Sequence, residues 1–144
     1  MLVLCFRGVK MTVFQKFAFS LAMILGMFVS SPVQAANPVE DPFVKLTITD
    51  ASVFCDDSIS VTAKWEDKTL LQNVNFVSMK FSLEQGCTLI DSYTYTNDVL
   101  DRTYTHNFYE LNSGTYTVKV TLTYKVTGSC GTPYIIASVN VIIP

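Results

Sequence analysis

Residues 115–126, TYTVKVTLTYKV, decide the fold. Tyr116, Val118, Val120, Leu122, Tyr124 and Val126 occupy every second position, and Thr115, Thr117, Lys119, Thr121, Thr123 and Lys125 fill the places between. Successive side chains of an extended strand point to opposite faces, so this run builds a strand with one dry and one wet side. Threonine, valine and tyrosine suit a pleated, half-buried surface.

Working outward, the same period recurs. Val44, Leu46 and Ile48 alternate with Lys45, Thr47 and Thr49, and Ile59, Val61, Ala63 and Trp65 with Ser58, Ser60, Thr62 and Lys64. Val77, Met79, Phe81 and Leu83 are expected on the core side of a third run, Tyr93 and Tyr95 of a fourth, and Tyr104, His106 and Phe108 of a fifth. After 115–126 comes Ile135, Ala137, Val139, Val141 and Ile143. Turn-forming residues separate the runs, among them Asp56-Asp57, Gln85-Gly86, Asn97-Asp98, Asn112-Ser113-Gly114 and Gly128 to Gly131. No stretch after residue 36 keeps helical spacing over three turns. Short strands at this spacing predict an all-β, seven-stranded Greek-key sandwich of immunoglobulin-like type over 43–144. Trp65, Phe81, Tyr116, Val118, Val120 and Val139 are its expected core.

Ahead of the strands the chain changes character. Residues 17–29, FAFSLAMILGMFV, are an apolar run preceded by Lys16, and Val33-Gln34-Ala35 follows with small residues where a signal peptidase reads. A basic start, a short apolar centre and a small-x-small exit describe a signal peptide over 1–35. A helix of that run reaches about 20 Å, short of the roughly 30 Å hydrocarbon core, so no transmembrane anchor is expected in the mature chain. Met11 gives a signal of more ordinary length, which makes residues 1–10 candidates for an upstream mis-start. Residues 36–42, ANPVEDP, read as an extended leader. The expected location is secreted or periplasmic.

Cleavage leaves all twelve acidic residues in the mature chain, against Lys45, Lys64, Lys68, Lys80, Arg102, Lys119 and Lys125. An acidic domain with scattered lysines argues against binding a phosphate backbone, so nucleic acid is not an expected partner.

Residues 108–124, FYELNSGTYTVKVTLTY, carry a family resemblance. A hydrophobic residue, a polar turn with Gly114, and Tyr116 opening an alternating strand resemble the E–F corner of bacterial immunoglobulin-like and PKD-type domains. The tryptophan-aspartate-glycine motif of PKD domains is absent, as is the cysteine-tryptophan-cysteine core pattern of antibody domains. The resemblance implies the sandwich, a Tyr116 hydroxyl bonded back to nearby backbone, and a role in surface binding or assembly. It implies no catalytic residues.

Strand succession makes the cysteines informative. Cys55 lies in the first inter-strand connection and Cys87 in the third, which antiparallel succession puts at one end of the sandwich; Cys130 belongs at the other. A disulfide needs Cα atoms within about 7 Å, so an exported chain is expected to bridge Cys55 to Cys87. Cys130 then stays free or joins another chain.

His106 shares the phase of Tyr104 and Phe108, which favours a packed, hydrogen-bonded ring over a catalytic base. No G-x-S-x-G motif or other marked nucleophile accompanies it. The chain is therefore read as no enzyme, with no cofactor. Glu66, Asp67, Asp98 and Asp101 are expected to meet at one tip, a weak calcium candidate against the ordinary turn-forming role of acidic residues. With Leu70 and Leu71 they form the candidate binding loops. The sequence thus points to an exported binding or structural module contacting another envelope or surface protein. The alternatives are a small-ligand or lipid carrier opening between its sheets, and a small hydrolase using His106.

Overall fold

The computed structural model describes residues 36–54, 57–69 and 73–144. The signal-peptide reading, Cys55, Leu70 and Leu71 lie outside the described residues.

Among the described residues the chain forms eight strands and no helix: β1 Val39–Glu40, β2 Val44–Phe54, β3 Ser58–Asp67, β4 Val74–Gln85, β5 Thr88–Tyr95, β6 Thr103–Phe108, β7 Gly114–Val126 and β8 Tyr134–Ile143. They build two four-stranded sheets, ordered β1-β2-β3-β6 and β5-β4-β7-β8, with every neighbouring pair antiparallel. This is an all-β sandwich of two facing sheets. The count corrects the expected seven, because Val39 and Glu40 of the leader pair with Leu46 and Lys45.

One cluster of side chains from both sheets fills the interior, with Trp65, Phe81, Phe108, Leu46, Ile48 and Leu122 among the fully buried. All six residues expected in the core are buried. The long alternating strands behave as read. β7 buries Tyr116 through Tyr124 at every second position, and β8 buries Ile135, Ala137, Val139, Val141 and Ile143.

Elsewhere the register shifts at three places, one of them between Leu83 and Glu84 opposite β5. Partners step from Ile48↔Ala63 to Asp50↔Thr62, leaving Thr49 as an extra residue, and β2 continues to Phe54, beyond the predicted run. In β4 they step from Phe76↔Tyr124 to Ser78↔Thr123. Val77, expected inside, is therefore turned outward, and Phe76 packs against the core in its place.

The turns gather at two ends. At one, the Leu111 N–H donates to the Asp57 carbonyl (3.0 Å) and the Ser113 hydroxyl to the Pro144 carbonyl (2.6 Å). At the other, Lys68 N–H donates to Phe43 O and Thr127 N–H to Asn73 O, each at 2.8 Å. Here the leader is clasped to β7: the Asp41 carboxylate accepts the Tyr124 hydroxyl and the N–H groups of Phe43 and Val44. Burial by itself raises the Asp41 carboxyl, but these three donors outweigh it and hold it below its ordinary value.

Candidate functional site

Of the four acidic residues, Glu66 and Asp67 end β3, and Asp98 and Asp101 lie in the β5–β6 connection. Glu66 pairs with its strand neighbour Lys64 (3.4 Å). Asp67 accepts both the backbone N–H and the hydroxyl of Thr69, at 2.7 and 2.6 Å. Asp101 accepts the Thr103 N–H (3.2 Å), and Asp98 lies 3.1 Å from the Tyr104 hydroxyl. That hydroxyl also lies 3.1 Å from the Asn97 carbonyl and accepts the Val99 N–H. Burial, with the adjacent Asp98 carboxylate, pushes Tyr104 up to about 12. Among the described residues no three His, Cys, Asp or Glu side chains gather where they could hold a metal. Among the described residues no ligand group supports the calcium reading.

His106 sits in an aromatic belt along the side of the sandwich where β5 and β6 face each other. Its ring stacks on Tyr93 (centroids 4.8 Å apart, 9° between planes) and meets Phe108 edge-on at 4.7 Å. Phe81 and Tyr95 complete the surround. Burial lowers its pKa. The ring is packed as expected, and among the described residues no side chain or backbone group bonds to its nitrogens. A hydrolase would need a hydroxyl and a carboxylate bonded there. The belt continues through Tyr95 to Tyr104, Phe76 and Trp65, and Arg102 caps Trp65 at 4.3 Å. Tyr95 ties the two sheets by donating to the Thr105 carbonyl (2.6 Å). Tyr93, expected on the core side, is half exposed.

Cys87 lies in the β4–β5 turn and Cys130 in the β7–β8 connection, at opposite ends, both exposed and unbridged.

The feature that sequence reading passed over is the outer row of β8. Tyr134, Ile136 and Ile142 are 64, 44 and 62% exposed, in a strand whose other face is core. The signal was present: the outer phase of 134–143, YIIASVNVII, sets Tyr134, Ile136 and Ile142 beside Ser138 and Asn140 and carries no charge, whereas β7 opposes its apolar phase with threonine and lysine. A strand face carrying large apolar residues is normally covered.

Among the described residues, the backbone of β8 has no hydrogen-bonded strand beyond it in its own sheet. The N–H of Tyr124 donates to the carbonyl of Pro133 (3.1 Å), so this facing pair is of the hydrogen-bonded kind. Counting along the register, Leu122↔Ile135, Val120↔Ala137, Val118↔Val139 and Tyr116↔Val141 are too. The even-numbered residues of β8 therefore aim their N–H and C=O groups away from β7. β2 of the facing sheet lies beside this edge, and among the described residues no backbone hydrogen bond joins the two.

No protein-family model matches the chain, and no curated protein matches it. Among solved structures it is similar to the GAE domain of GGA2p from Saccharomyces cerevisiae, at 13% identity and a TM-score of 0.41, over 76% of this chain and 98% of that one. At that score nothing about function follows.

Proposed function

We propose that this chain is an exported binding or structural module that works by protein–protein contact in the cell envelope or at the surface. It is released by cleavage at Ala35–Ala36 into the periplasm or the outside, and its sandwich is a Greek key related to bacterial immunoglobulin-like and PKD-type domains. The observation that carries the contact reading is the β8 edge, a ten-residue strand with no hydrogen-bonded neighbour on its outer side among the described residues and with Tyr134, Ile136 and Ile142 exposed. Natural sheets normally blunt such an edge with lysine, proline, a bulge or a covering segment, because it is a template for pairing with another chain. β8 carries no charge, no proline and no register shift, and β2, which runs beside it, makes no backbone hydrogen bond to it among the described residues. Recognition by strand addition uses these features: main-chain bonds give affinity and alternate side chains give specificity.

A carrier would have to part the cluster that fills the space between the sheets. The contact reading is tested by placing a photo-crosslinking residue at position 136 of the full chain, in cells, with position 64 on β3 as the control. The expected result is a discrete protein adduct from 136 and none from 64. Absence of any adduct, or a hydrolytic turnover lost on His106→Ala in a folded variant, would overturn it.

A further inference from the structure

We infer that the β8 edge is a self-pairing surface, joined antiparallel to β8 of a second copy about a two-fold axis at Ser138. This rests on the reading of β8 as a contact edge and names its occupant. The argument begins with register. The outward-aimed backbone groups belong to Tyr134, Ile136, Ser138, Asn140 and Ile142, and these same residues carry the outward side chains. Centring the pair on Ser138 sets Tyr134 opposite Ile142 of the copy, Ile136 opposite Asn140, and Ser138 opposite itself. Each is then a hydrogen-bonded pair exchanging two bonds, about ten in all. On the core-facing side, Ile135 falls opposite Val141 and Ala137 opposite Val139, so apolar meets apolar on that face. A two-fold interface requires one patch to complement itself; the core-facing row does so throughout, and the outer row pairs Tyr134 with Ile142 and Ser138 with itself while setting Ile136 against Asn140.

Charge permits it. The mature domain is acidic, so two copies repel in general, but 127–144 contains no charged side chain. The nearest charge along the register is Lys119, opposite Ser138 on β7. Its ammonium is drawn to Glu84 of β4 at 2.6 Å, away from β8. Across the joined sheet the two Lys119 backbones lie three strand spacings apart, about 14 Å, beyond the roughly 8 Å screening length of physiological salt.

The competing edges are less suited. β5 carries Asp91 and a register shift between Leu83 and Glu84 of its partner strand. β6 has six residues, and its Thr105 carbonyl already accepts the Tyr95 hydroxyl. β1 has two residues.

The test is sedimentation of the secreted full-length product over a concentration series, with Ser138→Pro beside it. The Ser138 N–H makes no bond to β7, so proline there removes a donor from the edge alone, a place where proline is tolerated. The expected result is a dimer for the parent and a monomer for the variant. A parent that stays monomeric throughout, or a dimer that persists in a folded Ser138→Pro, would overturn the proposal. Should the proline variant lose its sheet signal, oxidation of Ser138→Cys and Asn140→Cys decides. Two copies of residue 138 face each other with Cα atoms about 5.5 Å apart, within disulfide reach, while two copies of 140 are out of register. Cross-linking at 138 above the parent's level, and not at 140, supports the axis; equal linking at both refutes it. A monomeric parent whose position 136 still crosslinks to a different protein would sink the self-pairing and leave the contact reading standing.

Discussion

The hydroxyl of Tyr116 donates to the carbonyl of Asn112 at 2.8 Å, closing the turn between β6 and β7 four residues behind the ring. The ring itself is buried, so one side chain joins the core to the corner. Tyr116→Phe keeps the packing and removes only the bond. Asn112 is exposed, so water can take over its carbonyl. The expected loss is about 1 kcal/mol, or about 5 °C in melting temperature for a domain of this size, read by calorimetry. A variant melting with the parent would leave the corner bond without a stabilising role.

Val120 is fully buried at the centre of β7, facing Phe81 on one side and Ala137 on the other. Val120→Asp places an unpaired carboxylate in that interior, a cost of about 4 kcal/mol or more. Circular dichroism is expected to show loss of the sheet signal at ambient temperature. Thr121→Asp, one residue on and facing outward, should retain it.

The Asp41–Tyr124 clasp gives stability two pH limits. Asp41 is held below its ordinary 3.8, so its contribution is present above that value and lost as pH falls through the depressed folded value. Tyr124 is raised above its ordinary 10.0 by burial and by the carboxylate, so its contribution is present below that value and lost as pH rises through the elevated folded one. Tyr124→Phe should flatten the alkaline limb of a stability profile and, with solvent screening, cost about 1 kcal/mol at neutral pH. An alkaline limb unchanged in that variant would mean another group sets it.

Burial holds His106 below its ordinary 6.5, against a weaker opposing pull from Asp91. The unfolded chain then binds the proton more readily. Stability is full above 6.5 and falls as pH drops from there to the lower folded value. Titration of the ring by NMR should give a midpoint under 6.5, and His106→Phe should remove the slope in that window. A midpoint above 6.5 would mean that the carboxylate outweighs the belt.

The β2–β3 connection and the Cys87 turn lie at the same end of the sandwich, as the Leu111–Asp57 bond and the β4–β7 register require. Cys87 is nevertheless unbridged in the structure, so the expected Cys55–Cys87 disulfide is not supported, and non-reducing peptide mapping of the purified chain should recover Cys87 as a free thiol. Any pairing of Cys130 within the same molecule would contradict the positions of the turns.

Strand interiors were legible because burial imposes a strict two-residue period, and β7 and β8 follow it from end to end. The bulges at Thr49 and Val77 were not, because an extra residue shows only in the partner's register. β1 is too short to carry a period. The acidic residues attracted attention by type, yet type does not separate Asp67 capping a turn from Asp67 holding an ion. The outer row of β8 was readable in the sequence. It was missed because its inner row alone satisfied the fold.

Trp65 is the chain's one tryptophan, and it terminates the belt running from Tyr93 through Tyr95 and Tyr104. It is 1% exposed, under the Arg102 guanidinium. Light absorbed by those tyrosines therefore has a short path to a single buried emitter, whose colour and yield depend on the belt staying assembled. The molecule carries its own optical gauge on the side opposite β8, so events at the two flanks can be followed separately without attaching a dye.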